Sequence, residues 1–411
     1  MSKEFFTVTP VREVFERIAE FSRVGAETVS ITQAGTRVLA ENIIADIDVP
    51  GFARATMDGY AVRASATFGA SEFNPAYLTI CGKVDMGDTT ALNIGHAQSA
   101  RIATGGMLPP GADAVVMMEQ TTEIDETTLE VYKAVAPGTN TVAADEDFAK
   151  NRKVLAADTP LRPQEIGLLA ALGRNEIRVY QKPVIGIIST GDELVAVDQV
   201  PPPGRIRDVN TYTLCAMTAN AGGLPRTYGI VADQYEHLLA VCRRALAETD
   251  MVLISGGSSV GTRDLTMEVI ESLPESQIML HGIPVRPGKP TILAKSGEKA
   301  LWGLPGQITS AMVVFDRIVA PFVRHIGGNA LCLRQSYRIS AILTRNLPSV
   351  QGRTDYIRTR IAEKDGQYHA EPILGPSGLI RTMVEADGLI EIDMNTEGLE
   401  QGETVSVIPL R

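Results

Sequence analysis

The sequence predicts a multidomain α/β protein: a central doubly wound α/β domain, a β-rich inserted domain, a discontinuous helical and extended domain, and a small C-terminal β-barrel. Three observations carry this prediction. The chain has 411 residues, more than one ordinary core holds, so roughly two to four domains are expected. After residue 180, apolar strand patterns alternate with helical ones, the rhythm of a parallel sheet covered by crossover helices. On either side of that stretch, short strand-like runs are split by turn signals.

Taken in order, Thr9 and Pro10 read as N-cap and first helical position, and Val11, Val14, Phe15 and Ile18 share one helical face. From about residue 46 the runs DGYAV, YLTICGKV, GADAVVMME and LEVYKAV read as strands of an inserted domain over 46–145. RPQEIGLLAALG is a second helical pattern, stopped at Gly173 as by a C′ glycine. Packed with the first helix it makes 1–45 and 146–180 one discontinuous domain. Over 181–330 the order VIGIIS, NTYTLCAMTANAGG, RTYGIV, QYEHLLAVCRRALAE and MVLIS gives the α/β domain. TILA and ALWGL follow, then a helix from near Gln307 towards Arg324, so at least five strands are expected. The runs YRISAILT, TDYIRTRI, GLIEI and TVSVIPL over 331–411 alternate in the manner of a small barrel or sandwich. No repeat or low-complexity tract is present, and PPPG at 201–204 is a stiff loop.

Composition narrows the function. With 44% hydrophobic and 21% charged residues the chain is of the folded, globular type. MSKEFFTVTPVREVFERIAEF carries charge in every turn, unlike a leader or a membrane span, so a cytoplasmic protein without a membrane partner is expected. Cys81, Cys215, Cys242 and Cys332 lie far apart with no CxxC pair, against a zinc ribbon or disulfide framework. A net charge of −11 argues against nucleic acid as a partner. An anionic ligand has to be held locally, by backbone N–H groups, helix N-termini and a few placed cations.

Such a place is visible in MVLISGGSSVGTRDLT. A buried-strand run ends at Ser255 and passes into Gly256, Gly257, Ser258 and Gly261 before a helix begins. Glycines allow close backbone approach and freed N–H groups favour an anion, although a ligand-free strand-to-helix turn has the same pattern. Neither a Walker A loop nor GxGxxG is present, which disfavours standard nucleotide-triphosphate hydrolysis. A second strand end, GIISTGDEL, puts Thr190, Gly191, Asp192 and Glu193 where open parallel sheets meet ligands. Asp192 and Glu193 fit a helix first turn equally well. Asp233 with Glu236 fits a capping box, Asp264 a first-turn acid and Asp58 an Asp-Gly turn. IPVRPGKPTILA sets Arg286 and Lys289 in a proline-stiffened loop, suited to an oxyanion or phosphate and also to plain solvated surface. His96, His237, His281, His325 and His369 form no close pair, so soft-metal and Ser-His-Asp chemistry have little support. A divalent ion, if bound, is more plausibly Mg²⁺ on one or two carboxylates and a ligand phosphate.

In order along the chain, RATMDGYAVR, TGGMLPPGADAVV, STGDEL, SGGSSVG, PGKP and GLPG resemble the signature of the molybdopterin molybdenumtransferases, the MoeA and gephyrin E-domain family. The resemblance covers nearly the whole chain. It implies a four-domain, elongated homodimer with a MogA-like α/β domain that binds the pterin phosphate. Its implied reaction inserts molybdenum from molybdate into adenylylated molybdopterin, with Mg²⁺-dependent loss of the adenylyl group as AMP. Other proteins of cofactor biosynthesis and molybdoenzymes are implied partners. By motif, the family's functional positions fall on Asp58, Thr104, Asp147, Glu193, Asp233, Asp264, Arg286 and Lys289, with Mg²⁺ on Glu193, Asp233 and Asp264. Thr190, Gly191, Ser255, Gly256, Gly257, Ser258, Gly261, Pro305 and Gly306 fall at the pterin-phosphate site. Arg286, Lys289, Pro290, Ser310, Arg353 and Ser377 fall near molybdate.

The departures from the family pattern touch the inferred site. Val142 stands for an arginine and Asp145 for a glycine in GTNTVAADED, Arg286 for a lysine before PGKP, and Gln307 and Ile308 for Asn and Pro in GLPGQITSA. Two alternatives follow: a non-catalytic binding paralogue on the same scaffold, and an insertase that takes tungstate.

Overall fold

A computed structural model describes residues 9–256, 263–334 and 337–410, with the backbone alone for 263 and 264. Gly257, Ser258 and Gly261, and the side chain of Asp264, lie outside the described residues. The chain divides into two compact units, one of Met1–Ala40, Asp158–Arg162 and Ile177–Arg411, the other of Glu41–Ala157 and Pro163–Glu176.

The second unit is built on a six-stranded sheet in the order Ala114–Met117, Gly59–Val62, Gln98–Ile102, Ala76–Val84, Thr128–Val131, Thr121–Glu123. Four of these strands are the runs expected from sequence. Gln98–Ile102 was not among them, because QSARI is short and polar at one end; it enters by parallel pairing with Ala76–Val84. Gly59 is required by the packing: a Cβ there would stand 1.9 Å from the Val116 carbonyl oxygen of the neighbouring strand. The Pro163–Ala171 helix also belongs to this unit. Gly173, at φ +69°, and Arg174 return N–H bonds to Ala170 and Leu169, the expected glycine stop.

In the first unit the N-terminal helix spans Val11–Glu16, one residue later than Thr9 and Pro10 predict, because Pro10 is extended at ψ 141° and caps it. Val14, Ile18 and Phe21 pack into the α/β core, where Trp302 and Phe322 meet edge to face at 5.0 Å. The α/β sheet has six strands in the order Leu224–Val231, Val184–Thr190, Met251–Ser255, Lys299–Leu304, Ile292–Ser296, Ser276–His281. The first four are parallel and the last two run antiparallel to their neighbours. Ile292–Ser296 and Lys299–Leu304 form a hairpin in which Ser296 pairs with Lys299 and Gly297 turns at φ +56°. TILA and ALWGL thus form an antiparallel hairpin beside the parallel strands. A strand followed within two residues by another has no room for a crossover helix. The helix expected from Gln307 begins at Ile308 with Gln307 as its cap. It widens to a π-helical turn at Phe315–Val319 and continues over Ala320–Ile326.

The C-terminal strands close on themselves. Thr354–Lys364 pairs with Gln367–Pro372 and with Gly388–Ile392; Thr404–Pro409 and Ile339–Leu343 complete the ring. This is the expected small β-barrel, filled by Leu343, Ala370, Ile390, Val405 and Val407 among others. A short strand, Val285–Arg286, leaves the α/β domain and pairs in parallel with Thr354 and Asp355 of the barrel.

Candidate active site

Strand ends of the α/β sheet and loops of the barrel enclose a cavity of about 1600 Å³, with every lining residue in the first unit. That exceeds the usual range of roughly 300–1,000 Å³ for a small-molecule pocket and leaves room for an extended ligand.

Strand order explains one wall. Val184–Thr190, Met251–Ser255 and Lys299–Leu304 are adjacent and parallel, so their carboxyl ends open on one edge, where α/β sheets bind ligands. Thr190 and Ser255 are buried there. The Thr190 hydroxyl donates to Asp233 Oδ1 at 2.5 Å, and the Asp233 amide donates to Asp192 Oδ1 at 3.2 Å. Asp233 is thus a partner of the first strand end, and Glu193 and Asp233 both line the cavity. Gly256 has φ +122°, and a Cβ there would stand 2.0 Å from the Thr190 carbonyl oxygen. Only glycine lets the two strand ends approach in this way.

Asn210, not singled out from sequence, ties the wall together. Its Nδ2 donates to Ser255 Oγ at 2.7 Å and to the Gly306 carbonyl at 2.8 Å. Just before it, buried Asp208 accepts from Ser189 Oγ, from Thr211 Oγ1 and from the Thr211 amide, fixing the start of the Asn210–Asn220 helix.

The opposite wall is cationic. Asp355, with 0% of its side chain exposed, accepts from Arg353 Nε at 2.9 Å and Nη2 at 3.4 Å, and from Ser349 Oγ at 3.2 Å. Arg286 Nη1 lies 3.7 Å from the same carboxylate, in reach because the 285–286 strand is paired beside it. Arg358, 7% exposed, also lines the cavity and donates from Nη2 to the Gly375 carbonyl at 2.7 Å. Burial first, and then the charge of Arg286, hold its guanidinium below the ordinary arginine range. Lys289, Pro290, Pro305, Ser310 and Ser377 complete this part of the lining. Gln307 and Ser377 are joined: the Ser377 hydroxyl donates to Gln307 Oε1 and its carbonyl accepts from the Thr309 amide at 3.0 Å.

In the second unit, Asp58 and Thr104 come together. Asp58 Oδ1 accepts from the Thr104 amide at 2.7 Å and its hydroxyl at 3.0 Å, and these bonds, the amide's first, hold the carboxyl below its usual range. The Asp147 amide donates to the Val49 carbonyl at 3.0 Å. Asp145 sits at φ +64°, a left-handed position that suits glycine and that Asp tolerates better than most residues. Among the described residues no three His, Cys, Asp or Glu side chains converge on a metal position. Cys242 is a core residue, its thiol pushed up to about 12 by burial.

Residues 9–173 match the family description "MoeA N-terminal region (domain I and II)" and 340–410 match "MoeA C-terminal region (domain IV)". Residues 186–325 match "Probable molybdopterin binding domain". The molybdopterin molybdenumtransferase of Bacillus subtilis is 32% identical over 410 residues, 98% of this chain and 95% of that protein. The chain belongs to the MoeA family. The solved structure of a molybdopterin biosynthesis MoeA protein from Pyrococcus horikoshii OT3 superposes with a TM-score of 0.83 at 29% identity, covering 98% of this chain and 100% of that one. A second Pyrococcus MoeA protein has 36% identity and a TM-score of 0.78, covering 98% and 99%. The fold of this MoeA protein and its place in molybdenum cofactor biosynthesis follow from these matches.

Within the MoeA fold, the motif positions Thr190, Gly191, Glu193, Asp233, Ser255, Gly256, Arg286, Lys289, Pro290, Pro305, Gly306, Ser310, Arg353 and Ser377 all face one cavity. Asp208, Asn210, Asp355 and Arg358 were missed. Asp355 and Arg358 sit in TDYIR, a run the sequence marks only as a strand; Asp355 pairs with Arg286 of the 285–286 strand and Arg358 with Leu389 of the 388–392 strand.

Proposed function

We propose that this protein is a molybdopterin molybdenumtransferase that inserts molybdenum from molybdate into adenylylated molybdopterin and releases AMP. The observation that carries this reading is the two-sided cavity: anion-suited strand ends face an arginine cluster across one space. Thr190, Gly191, Ser255, Gly256, Pro305 and Gly306, with Gly257, Ser258 and Gly261, hold the pterin phosphate through backbone N–H groups and hydroxyls. Arg286, Lys289, Pro290, Ser310, Arg353 and Ser377 hold the oxyanion beside the dithiolene. The rate comes from placement and preorganised charge, not from a protein nucleophile.

Glu193 and Asp233, both on the cavity wall, suit a Mg²⁺ ion held by one or two carboxylates and a ligand phosphate, with Asp264 as a third candidate. Bound there, Mg²⁺ would neutralise charge on the phosphates of the adenylylated substrate. Asp58, Thr104 and Asp147 act from the second unit of a partner copy, in a cytoplasmic homodimer that exchanges ligands with other cofactor-biosynthesis proteins and molybdoenzymes. The domains of this reading are 1–45 with 146–180, 46–145, 181–330 and 331–411.

The test is AMP release from adenylylated molybdopterin, expected only with Mg²⁺ and molybdate both present. Tight binding of the adenylylated pterin with no AMP released would instead establish the binding-protein reading. Gln307 favours that second reading, because its Oε1 accepts the Ser377 hydroxyl hydrogen bond that an oxyanion would otherwise accept. Tungstate in place of molybdate in the same assay decides the choice of oxyanion.

A further inference from the structure

We propose that Arg317 is a positioning residue: carried on the π-helical turn of the α/β domain, it fastens the barrel strand of the cationic wall by acting through Tyr356. The part of this inference that concerns affinity rests on the oxyanion reading above.

The stretch AMVVFDRIVAPFV at 311–323 is apolar apart from Asp316 and Arg317, and every residue in it except Met312, Asp316 and Arg317 is buried. Charges in the middle of so buried a helix are costly unless they are matched. Pro321 brings no N–H to the helix, and the turn before it widens, the Ala320 amide donating to the Phe315 carbonyl five residues back. Such turns are rare and gather at functional positions. Here the turn meets the barrel. The Arg317 guanidinium lies 3.5 Å from Asp316 and within hydrogen-bonding reach of the Tyr356 hydroxyl. That hydroxyl donates at 3.2 Å to Oε1 of Glu391, its cross-strand neighbour, and Glu391 Oε2 accepts from Arg338 at 2.6 Å. Two arginines, Arg317 and Arg338, face two carboxylates, Asp316 and Glu391, so the chain of bonds is balanced and suits a fastening better than a ligand site.

Around it, Tyr356, Met383, Leu389 and Ile408 of the barrel share one apolar core with Phe315, Ile318 and Val319 of the helix. Apolar contact is non-directional, so it holds the barrel on the helix without fixing where. Directional bonds to a single hydroxyl fix the position. Tyr356 itself lines the cavity and follows Asp355 in the 354–364 strand, so a shift of the phenol shifts the wall. Small displacements of a binding group are enough to weaken a site.

The experiment combines native-state hydrogen exchange with calorimetric titration by molybdate on the full chain. Wild type is compared with Arg317→Met, Arg317→Lys, Tyr356→Phe and the paired Arg317→Met, Tyr356→Phe variant. Arg317→Met is expected to raise exchange at 355–359 about tenfold and to weaken molybdate binding about fivefold, with exchange at 251–255 within about twofold of wild type. Tyr356→Phe keeps the ring in the core and removes only the hydroxyl. It should give the same losses, and the paired variant no more than either alone. Arg317→Lys keeps the charge and should recover about half of the loss. Equal rises at both strands, or losses that multiply in the paired variant, would mean that Arg317 merely stabilises the domain, and the inference would be wrong. Unchanged exchange at 355–359 overturns it outright. If Arg317→Met does not fold, Tyr356→Phe carries the same expectation. Wild-type protein that binds no molybdate removes the oxyanion reading, and the contrast in exchange between the two strands still decides the fastening.

Discussion

The two walls of the cavity are built on different physics. The α/β wall is made of strand ends: buried hydroxyls at Thr190 and Ser255, a glycine at 256 that admits close approach, and the Asn210 amide that joins Ser255 to Gly306. The barrel wall is made of charge, with Arg353 and Arg286 gathered on the fully buried Asp355 and Arg358 beside them. The first wall is shaped by backbone and is suited to the form of a ligand. The second is suited to its charge, and depends on the buried Asp355 carboxylate that gathers the arginines. Steric changes should therefore damage the first wall, and changes of charge the second.

Breaking the barrel wall at its centre should have the largest effect. Asp355→Ala leaves Arg353, a third exposed, without its two-bond partner, and a broken buried pair costs about 3–5 kcal/mol. Discounted for the solvent that Arg353 still reaches, a loss of about 3 kcal/mol in urea unfolding is expected. A loss below about 1 kcal/mol would mean that the carboxylate does not organise the wall. The steric counterpart is Gly256→Ala. Its Cβ would stand 2.0 Å from the Thr190 carbonyl, and its φ of +122° is strained for any L side chain, so about 2–3 kcal/mol is expected by the same measurement. A phosphate monoester should then bind more weakly, while added salt, which screens charge, should change the result little.

The same contrast explains what was legible in the sequence. VIGIIS and MVLIS are readable because parallel strands covered on both faces become unbroken apolar runs, and the 251–255 strand is buried throughout. The glycines after it carry their own signal, since backbone conformation restricts residue type. The family motifs located one side of the barrel wall at Arg286 and Arg353. Asp355 and Arg358 were not legible, because they fall on opposite faces of the 354–364 strand and TDYIRTRI has no alternation that marks either as buried. Asp355 is paired with Arg286, some seventy residues away, and Arg358 with Leu389, both invisible to local pattern. Asn210 escaped for a related reason: DVNT is an ordinary helix start, and its contacts are to two strand ends distant in sequence.

A smaller effect is expected at that residue. Asn210→Ala removes two hydrogen bonds across the α/β wall and leaves Ser255 and the Gly306 carbonyl short of a donor, a cost of about 1–2 kcal/mol. Hydrogen exchange at 304–306 should rise with it, since the 299–304 strand end loses its tie. No such rise would show that the strand ends are held by the sheet alone.

The smallest effect separates the two arginines on Asp355. Arg286→Lys restores the residue type of the family motif. Arg286 is 62% exposed and 3.7 Å from the carboxylate, against 32% and 2.9 Å for Arg353. Exposed pairs of that length contribute about 0–1 kcal/mol, so unfolding should change by no more than about 0.5 kcal/mol. Lysine keeps the charge and loses the planar fork, so oxyanion affinity should fall a few fold at most. A loss in stability approaching that of Asp355→Ala would place Arg286, and with it the 285–286 strand, among the elements that hold the barrel wall. The expected near-neutral result instead makes Arg353 the residue that fixes Asp355, and leaves Arg286 able to turn towards a ligand.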